Sequence, residues 1–252
     1  AAHDLKNLVP GLTMALGVAA VPAISAAYAN GREEYLSSII NSVFKYISLI
    51  SFCGGFYLSL LSKEILTLLY QKSNYDIVIG CNDVVRIYGF VTILFSLSGA
   101  AVFAVQSVGL ASKSIPSFAV AGTLRALLNL YLVSNAHVNI YGNIIADAAA
   151  YSIILAANLF LLAKHTGVKL NLFGFLVMPG ACCLASYFAS EFIYDALFSD
   201  FGIINRFFLL GIIYVVCAVL LTILSKTVSF SEIKALAISS SILFVNGKMQ
   251  MT

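Results

Sequence analysis

Seven stretches of about twenty apolar residues run along this chain, separated by short polar breaks. At a helical rise of ~1.5 Å per residue, about twenty residues cross a hydrocarbon core of ~30 Å. The pattern predicts membrane-spanning helices over 5–28, 35–61, 84–108, 115–134, 140–163, 171–194 and 203–225. A membrane β-barrel would show short alternating segments, which do not occur here. The expected class is an all-α polytopic membrane protein with about seven transmembrane helices. Between the second and third spans, Ile65–Tyr70 is too short to cross and reads as an interfacial half-helix. The tail piece Ile233–Val245 is likewise too short and is expected on the membrane surface.

Small residues mark expected packing faces. Gly11, Ala15, Ala19, Ala23 and Ala27 recur at every fourth position of the first span. Ser96, Ala100 and Ala104 do so in the third span, and Gly142, Ala146 and Ala150 in the fifth. Pro22 and the pair Pro179–Gly180 are expected to kink their helices, and Gly54–Gly55 to loosen the second.

Composition narrows the function classes. Charged residues are 10% of the chain and apolar ones 61%, against about 25% charged in soluble domains. The net charge of +3 comes with no basic patch interleaved with aromatics, so no nucleic-acid partner is expected. Cys53, Cys81, Cys182, Cys183 and Cys217 lack zinc-ligand spacing and read as small buried residues. Neither a metal nor a cofactor is expected. His3, His137 and His165 fall at span ends or in loops. Glu191, Asp195 and Asp200 gather at one rim without a histidine or cation, so a solvated edge is favoured over an enzyme site.

Basic residues in alternate loops set the expected orientation. Arg32, Lys113, Lys164, Lys169, Lys226, Lys234 and Lys248 share one side, against Lys6, Lys63, Lys72, Arg86 and Arg206 on the other. That places the C-terminus in the cytoplasm. The chain opens on Ala1, with no methionine and no basic segment ending in a cleavage site. It is expected to begin at or just before a span, as part of a longer protein.

Charge inside the spans carries the chemistry. Arg125 lies ten residues into the run from Ile115, ~15 Å deep, and Asp147 lies seven residues after Ile140, ~10 Å from the opposite face. In a ~30 Å core their depths differ by ~5 Å, within arginine's reach. A charge at that depth costs at least ~2.5 kcal/mol on insertion scales, so a buried ion pair within one hairpin is expected. Either the pair only pins the hairpin, or Arg125 faces a wet cavity and meets an anionic substrate. Asn129 shares the Arg125 face at a spacing of four residues. Lys45, in the second span, either snorkels or lines a cavity.

The ordered series of segments resembles a family of exporters. The run from Leu12 to Ala29 is similar to the eighth helix of the polysaccharide-exporter branch of the multidrug/oligosaccharidyl-lipid/polysaccharide superfamily. Ile65–Tyr70 after the second span and Val105-Gln-Ser-Val-Gly109 before a short basic loop extend the likeness. So does Arg125-Ala-Leu-Leu-Asn129 followed by Asn139-Ile-Tyr-Gly-Asn-Ile-Ile-Ala146. Within that branch the chain is most similar to the stage V sporulation protein B group. Asp147 departs from the pattern, standing where relatives carry a small or hydroxyl residue, and Ser51–Phe52 replaces a frequent proline.

The resemblance implies the C-terminal half of a fourteen-helix, MATE-like fold. Residues 1–164 would be second-lobe helices, 165–225 two extra C-terminal helices and 226–252 a cytoplasmic tail. The N-terminal half would be a partner missing from this chain. It further implies a flippase of the bacterial cytoplasmic membrane, moving lipid-linked sugar diphosphates by alternating access. Arg125, Asn129, Lys45, Gln106 and Asn158 would then line the substrate cavity, since cations and amides can replace water around a diphosphate. A cation-coupled multidrug antiporter would instead use Asp147 as its proton or ion site. Seven spans would also suit a seven-helix receptor or a non-transporting half-protein. A retinal-type receptor needs a lysine in the last helix, and Ile203–Ser225 has none.

Overall fold

The structure, a computed structural model, describes residues 7–70, 75–135, 138–198 and 203–225. The tail piece 233–245, Asp200 and several of the basic residues that set the expected orientation lie outside these. The described elements are α1 (Leu8–Ala29), α2 (Glu33–Leu60), α3 (Ser62–Tyr70), α4 (Tyr75–Ser107), α5 (Ala111–Val133) and α6 (Ile140–Thr166). A π-helical turn (Phe173–Val177) then leads into α7 (Met178–Leu197), and α8 (Ile203–Leu224) follows. No strand occurs among the described residues. Seven helices are long and apolar enough to cross a membrane, so the chain is an all-α polytopic membrane protein by length and composition.

Helix α4 is the hub. It packs against α1, α2, α3 and α6, while α5 packs chiefly on α6, and α7 pairs with α8 and with α2. Ser96, Ala100 and Ala104 of α4 are all buried, as their spacing predicts. The tightest crossing joins α2 to α4. A Cβ on Gly55 would come within 2.6 Å of the Gly89 carbonyl oxygen, and one on Gly89 would collide with the Gly55 carbonyl. Gly55 therefore admits a neighbouring backbone instead of loosening α2.

Two expectations change. In α1 the buried positions are Val9, Pro10, Thr13, Gly17, Ile24 and Ala27, whereas Gly11, Ala15, Ala19 and Ala23 are exposed. The small stripe has little side-chain area to bury. The face that docks instead sets Gly17 under the ring of Phe103 and bonds Ser25 Oγ to the Ser107 carbonyl at 2.8 Å. Near Pro179 the backbone irregularity lies on the N-terminal side, as the π turn Phe173–Val177. Proline has no N–H to donate and its ring crowds the preceding turn, so the ladder there widens.

Polar side chains tie helix ends together. Asn41 acts as a bracket, donating from Nδ2 to the Lys169 carbonyl and accepting at Oδ1 from the Asn171 N–H, both at 2.8 Å. At the other end of the bundle, Arg206 Nε of α8 stands 3.1 Å from Glu64 Oε1 of α3, with its guanidinium 5.2 Å from the Tyr194 ring centre. Arg86 Nη2 donates to Tyr187 Oη at 2.9 Å and links α4 to α7.

The Gly55–Gly89 crossing yields a test. Gly89→Ala should lower stability by ~1–3 kcal/mol, because overpacking moves two backbones apart. Gly122→Ala, where a Cβ meets nothing within 4 Å, should be neutral or slightly stabilising. Thermal unfolding of both variants in one detergent reads the difference.

Candidate functional site

The hairpin of α5 and α6 builds the site. The two helices approach closely near their junction, because a Cβ on Gly142 would press within 2.7 Å of Leu132 Cβ. Asn139 helps by adopting positive φ, 43°, just before α6. Helix α5 begins at Ala111, a full turn before Ile115. Counted from its other end, Val133, Arg125 lies ~12 Å along the helix, and Asp147 lies ~10 Å from Ile140. The two are level. Arg125 Nη2 sits 2.6 Å from Asp147 Oδ1, with the aspartate side chain fully buried and the arginine 41% exposed.

Helix α6 presents Asn143, Asp147 and Tyr151 at intervals of four residues, so one face carries all three. Asn143 Nδ2 donates to Tyr88 Oη of α4 at 2.7 Å. The ring of Tyr151 stacks on Phe95 of α4 with centres 4.6 Å apart. Tyr88 packs with Val84, Val91 and Ile144 in a small buried cluster, against which Tyr151 rests. The periodicity of Asn143 and Tyr151 around Asp147 was available as a signal in the sequence. Tyr88 was not, because it arrives from a different helix.

The five substrate-site candidates do not converge. Asn129 lies one turn from Arg125, and its Oδ1 is buried without a hydrogen-bond partner. Asn158 is fully buried and committed within the hairpin. It accepts from Ser114 Oγ, donates to Ser117 Oγ and donates to the Ile154 carbonyl. Gln106 is exposed at the end of α4, beside the Gly109 turn. Lys45 lines a separate cavity of about 400 Å³ between α2 and the start of the sixth span. None of the larger described cavities is lined by Arg125.

The exposed part of the Arg125 side chain therefore lies on the flank of the hairpin. That flank belongs to α5, the least buried of the spans. A guanidinium has five donors in a planar fork. Asp147 engages one edge and leaves N–H groups directed elsewhere. The site can thus hold a cation at fixed orientation in mid-membrane and offer it to an oxyanion. Among the described residues no cluster of histidine, cysteine or acidic side chains could hold a metal ion, and the cysteines are free thiols.

Burial predicts an asymmetry between the partners. Arg125→Gln strands a fully buried carboxylate and should cost up to ~3–5 kcal/mol. Asp147→Asn leaves a cation that can still reach the surface and should cost less. Arg125→Gln/Asp147→Asn should recover most of the loss, which a double-mutant cycle on thermal stability measures. Equal, additive losses would mean that the two charges do not interact.

No protein-family model matches this chain, and no curated protein or solved structure does either.

Proposed function

We propose that this chain is part of a membrane transporter, a flippase that moves lipid-linked oligosaccharide or polysaccharide precursors across the cytoplasmic membrane by alternating access. The observation that carries this reading is the half-exposed guanidinium of Arg125, pinned by buried Asp147 on the least packed helix. An arginine at that depth is costly against hydrocarbon and favourable against a polar partner. A sugar diphosphate supplies oxyanions that match the free edge of the fork. The resemblance of the segment series to polysaccharide exporters implies a first lobe, outside this chain, that would close over this flank.

A second reading rests on the burial of Asp147. A carboxylate with no exposure, neutralised by an arginine, is the arrangement a proton-coupled antiporter would use. Protonation would release Arg125, and deprotonation would recapture it.

The two readings separate in proteoliposomes holding the natural protein and a fluorescent diphosphate-linked lipid. With the ion pair removed, as in Arg125→Gln/Asp147→Asn, flipping should fall about 10- to 100-fold, the loss of a charge-assisted contact worth ~1.5–3 kcal/mol. Unchanged flipping by that folded double variant would overturn the substrate role of Arg125. Transport of a cationic drug that needs a pH gradient and is abolished by Asp147→Asn would favour the antiporter.

A further inference from the structure

Two apolar cavities lie on one side of the bundle and share a wall. The larger, about 580 Å³, is bounded by α1, α2 and α3, and the second, about 420 Å³, runs down α8. Tyr57 of α2 and Phe207 of α8 line both, so the two form one groove. Gly54 closes its back, since a Cβ there would come within 2.6 Å of Val9 Cγ2 and α1 therefore lies directly against α2. The front opens on the perimeter, where Leu12, Leu69 and Ile212 are exposed. The groove runs along α2 from Leu49 to Leu58 and along α8 from Phe207 to Val216. Each stretch measures ~14 Å, about half of a ~30 Å core, which is the depth of one leaflet.

A single polar group interrupts the apolar wall. Among the described lining residues, Tyr57 Oη is the only side-chain oxygen or nitrogen. It rests on Gly211, where an added Cβ would come within 2.9 Å of it. It makes no hydrogen bond among the described residues, and it is not sealed from the groove. A phenol left without an acceptor beside hydrocarbon is costly. Gly211 lies five residues beyond Arg206 on the same helix, ~7.5 Å deeper. Arg206 and its partner Glu64 mark the polar end of the bundle. Tyr57 Oη therefore sits at the lower border of a headgroup region ~5–7 Å thick. The ester carbonyls of a glycerolipid occupy that border.

We infer that this groove seats one acyl chain of an ester-linked glycerolipid, whose carbonyl accepts a hydrogen bond from Tyr57 Oη. The lining carries no charge, which suits hydrocarbon and leaves the ester as the one polar match. The groove shares no lining residue with the α5–α6 hairpin, and the inference does not rest on the transport reading.

The test is thermal unfolding of the full chain in nanodiscs of diacyl phosphatidylcholine and of its dialkyl ether analogue, which lacks the carbonyls. The wild type should unfold ~2–4 °C higher in the ester lipid, the shift that one hydrogen bond gives a chain of this size. Tyr57→Phe should lose that difference. Tyr131→Phe, at an exposed tyrosine of α5, should keep it. The chain contains no tryptophan, so Phe207→Trp in the groove and Phe192→Trp on the exposed face of α7 each supply a single emitter. In ether-lipid nanodiscs doped with a brominated diacyl lipid, Phe207→Trp should be half-quenched at a ~3- to 10-fold lower mole fraction, the preference one hydrogen bond confers. If Tyr57→Phe does not fold, this comparison decides. An ester–ether difference that Tyr57→Phe retains would overturn the proposal, as would its absence in the wild type. So would equal quenching of the two tryptophans, the result expected if another protein segment fills the groove.

Discussion

Hydrocarbon offers polar groups no water, so backbone donors and acceptors in a span must be satisfied within the protein, and a side-chain group left unpaired there is costly. The structure answers that constraint in two ways. Thr13, Ser51, Ser107, Ser186 and Thr222 turn their hydroxyls back onto carbonyls of their own helices. These bonds satisfy the group but join nothing. The polar contacts that do cross between helices are fewer, and they hold the arrangement: Ser25 to Ser107, Asn158 to Ser114, Tyr88 to Asn143, Arg86 to Tyr187 and Tyr214 to the Cys53 carbonyl.

The Arg125–Asp147 pair is the extreme case of the same rule. A buried ion pair is weak as a source of net stability, because desolvation offsets most of the Coulombic gain. Its strength is directional. Once both charges are in the membrane, any arrangement that separates them is penalised heavily, so the pair sets the register of α5 against α6. The tight packing of Gly142 on Leu132 and the Asn158 cluster agree with that register from either side. The outcome is a rigid hairpin, attached to the bundle through α6 and α4 and open along α5. Whatever meets Arg125 must come to that open flank.

Charge is placed differently in the rest of the molecule. Glu64 and Arg206 pair near one end of the bundle, where Tyr194 shields the guanidinium. Lys45 occupies a polar notch at the other end. Arg125 meets a carboxylate within the hairpin, and Lys45 lines a cavity beside the serines of α2.

Hydrophobic run lengths alone determined the seven long helices, because the thickness of a bilayer and the rise of a helix leave little freedom. The ion pair was legible too, since the depths of Arg125 and Asp147 follow from counting residues along a hairpin. Even the error in that count was local: α5 starts a turn early at Ala111, which brings the pair level. What the sequence could not specify was which face of each helix turns inward. The small stripe of α1 reads as a packing face, yet Gly17 and Ile24 are buried in its place, because the bulky neighbour Phe103 decides the fit. Gln106, Asn158 and Lys45 read alike as polar residues in apolar helices. Only the packing of α2, α4, α5 and α6 made one exposed, one a buried clamp and one the wall of a cavity, since rotation of a helix about its axis is set by its partners and not by its own composition.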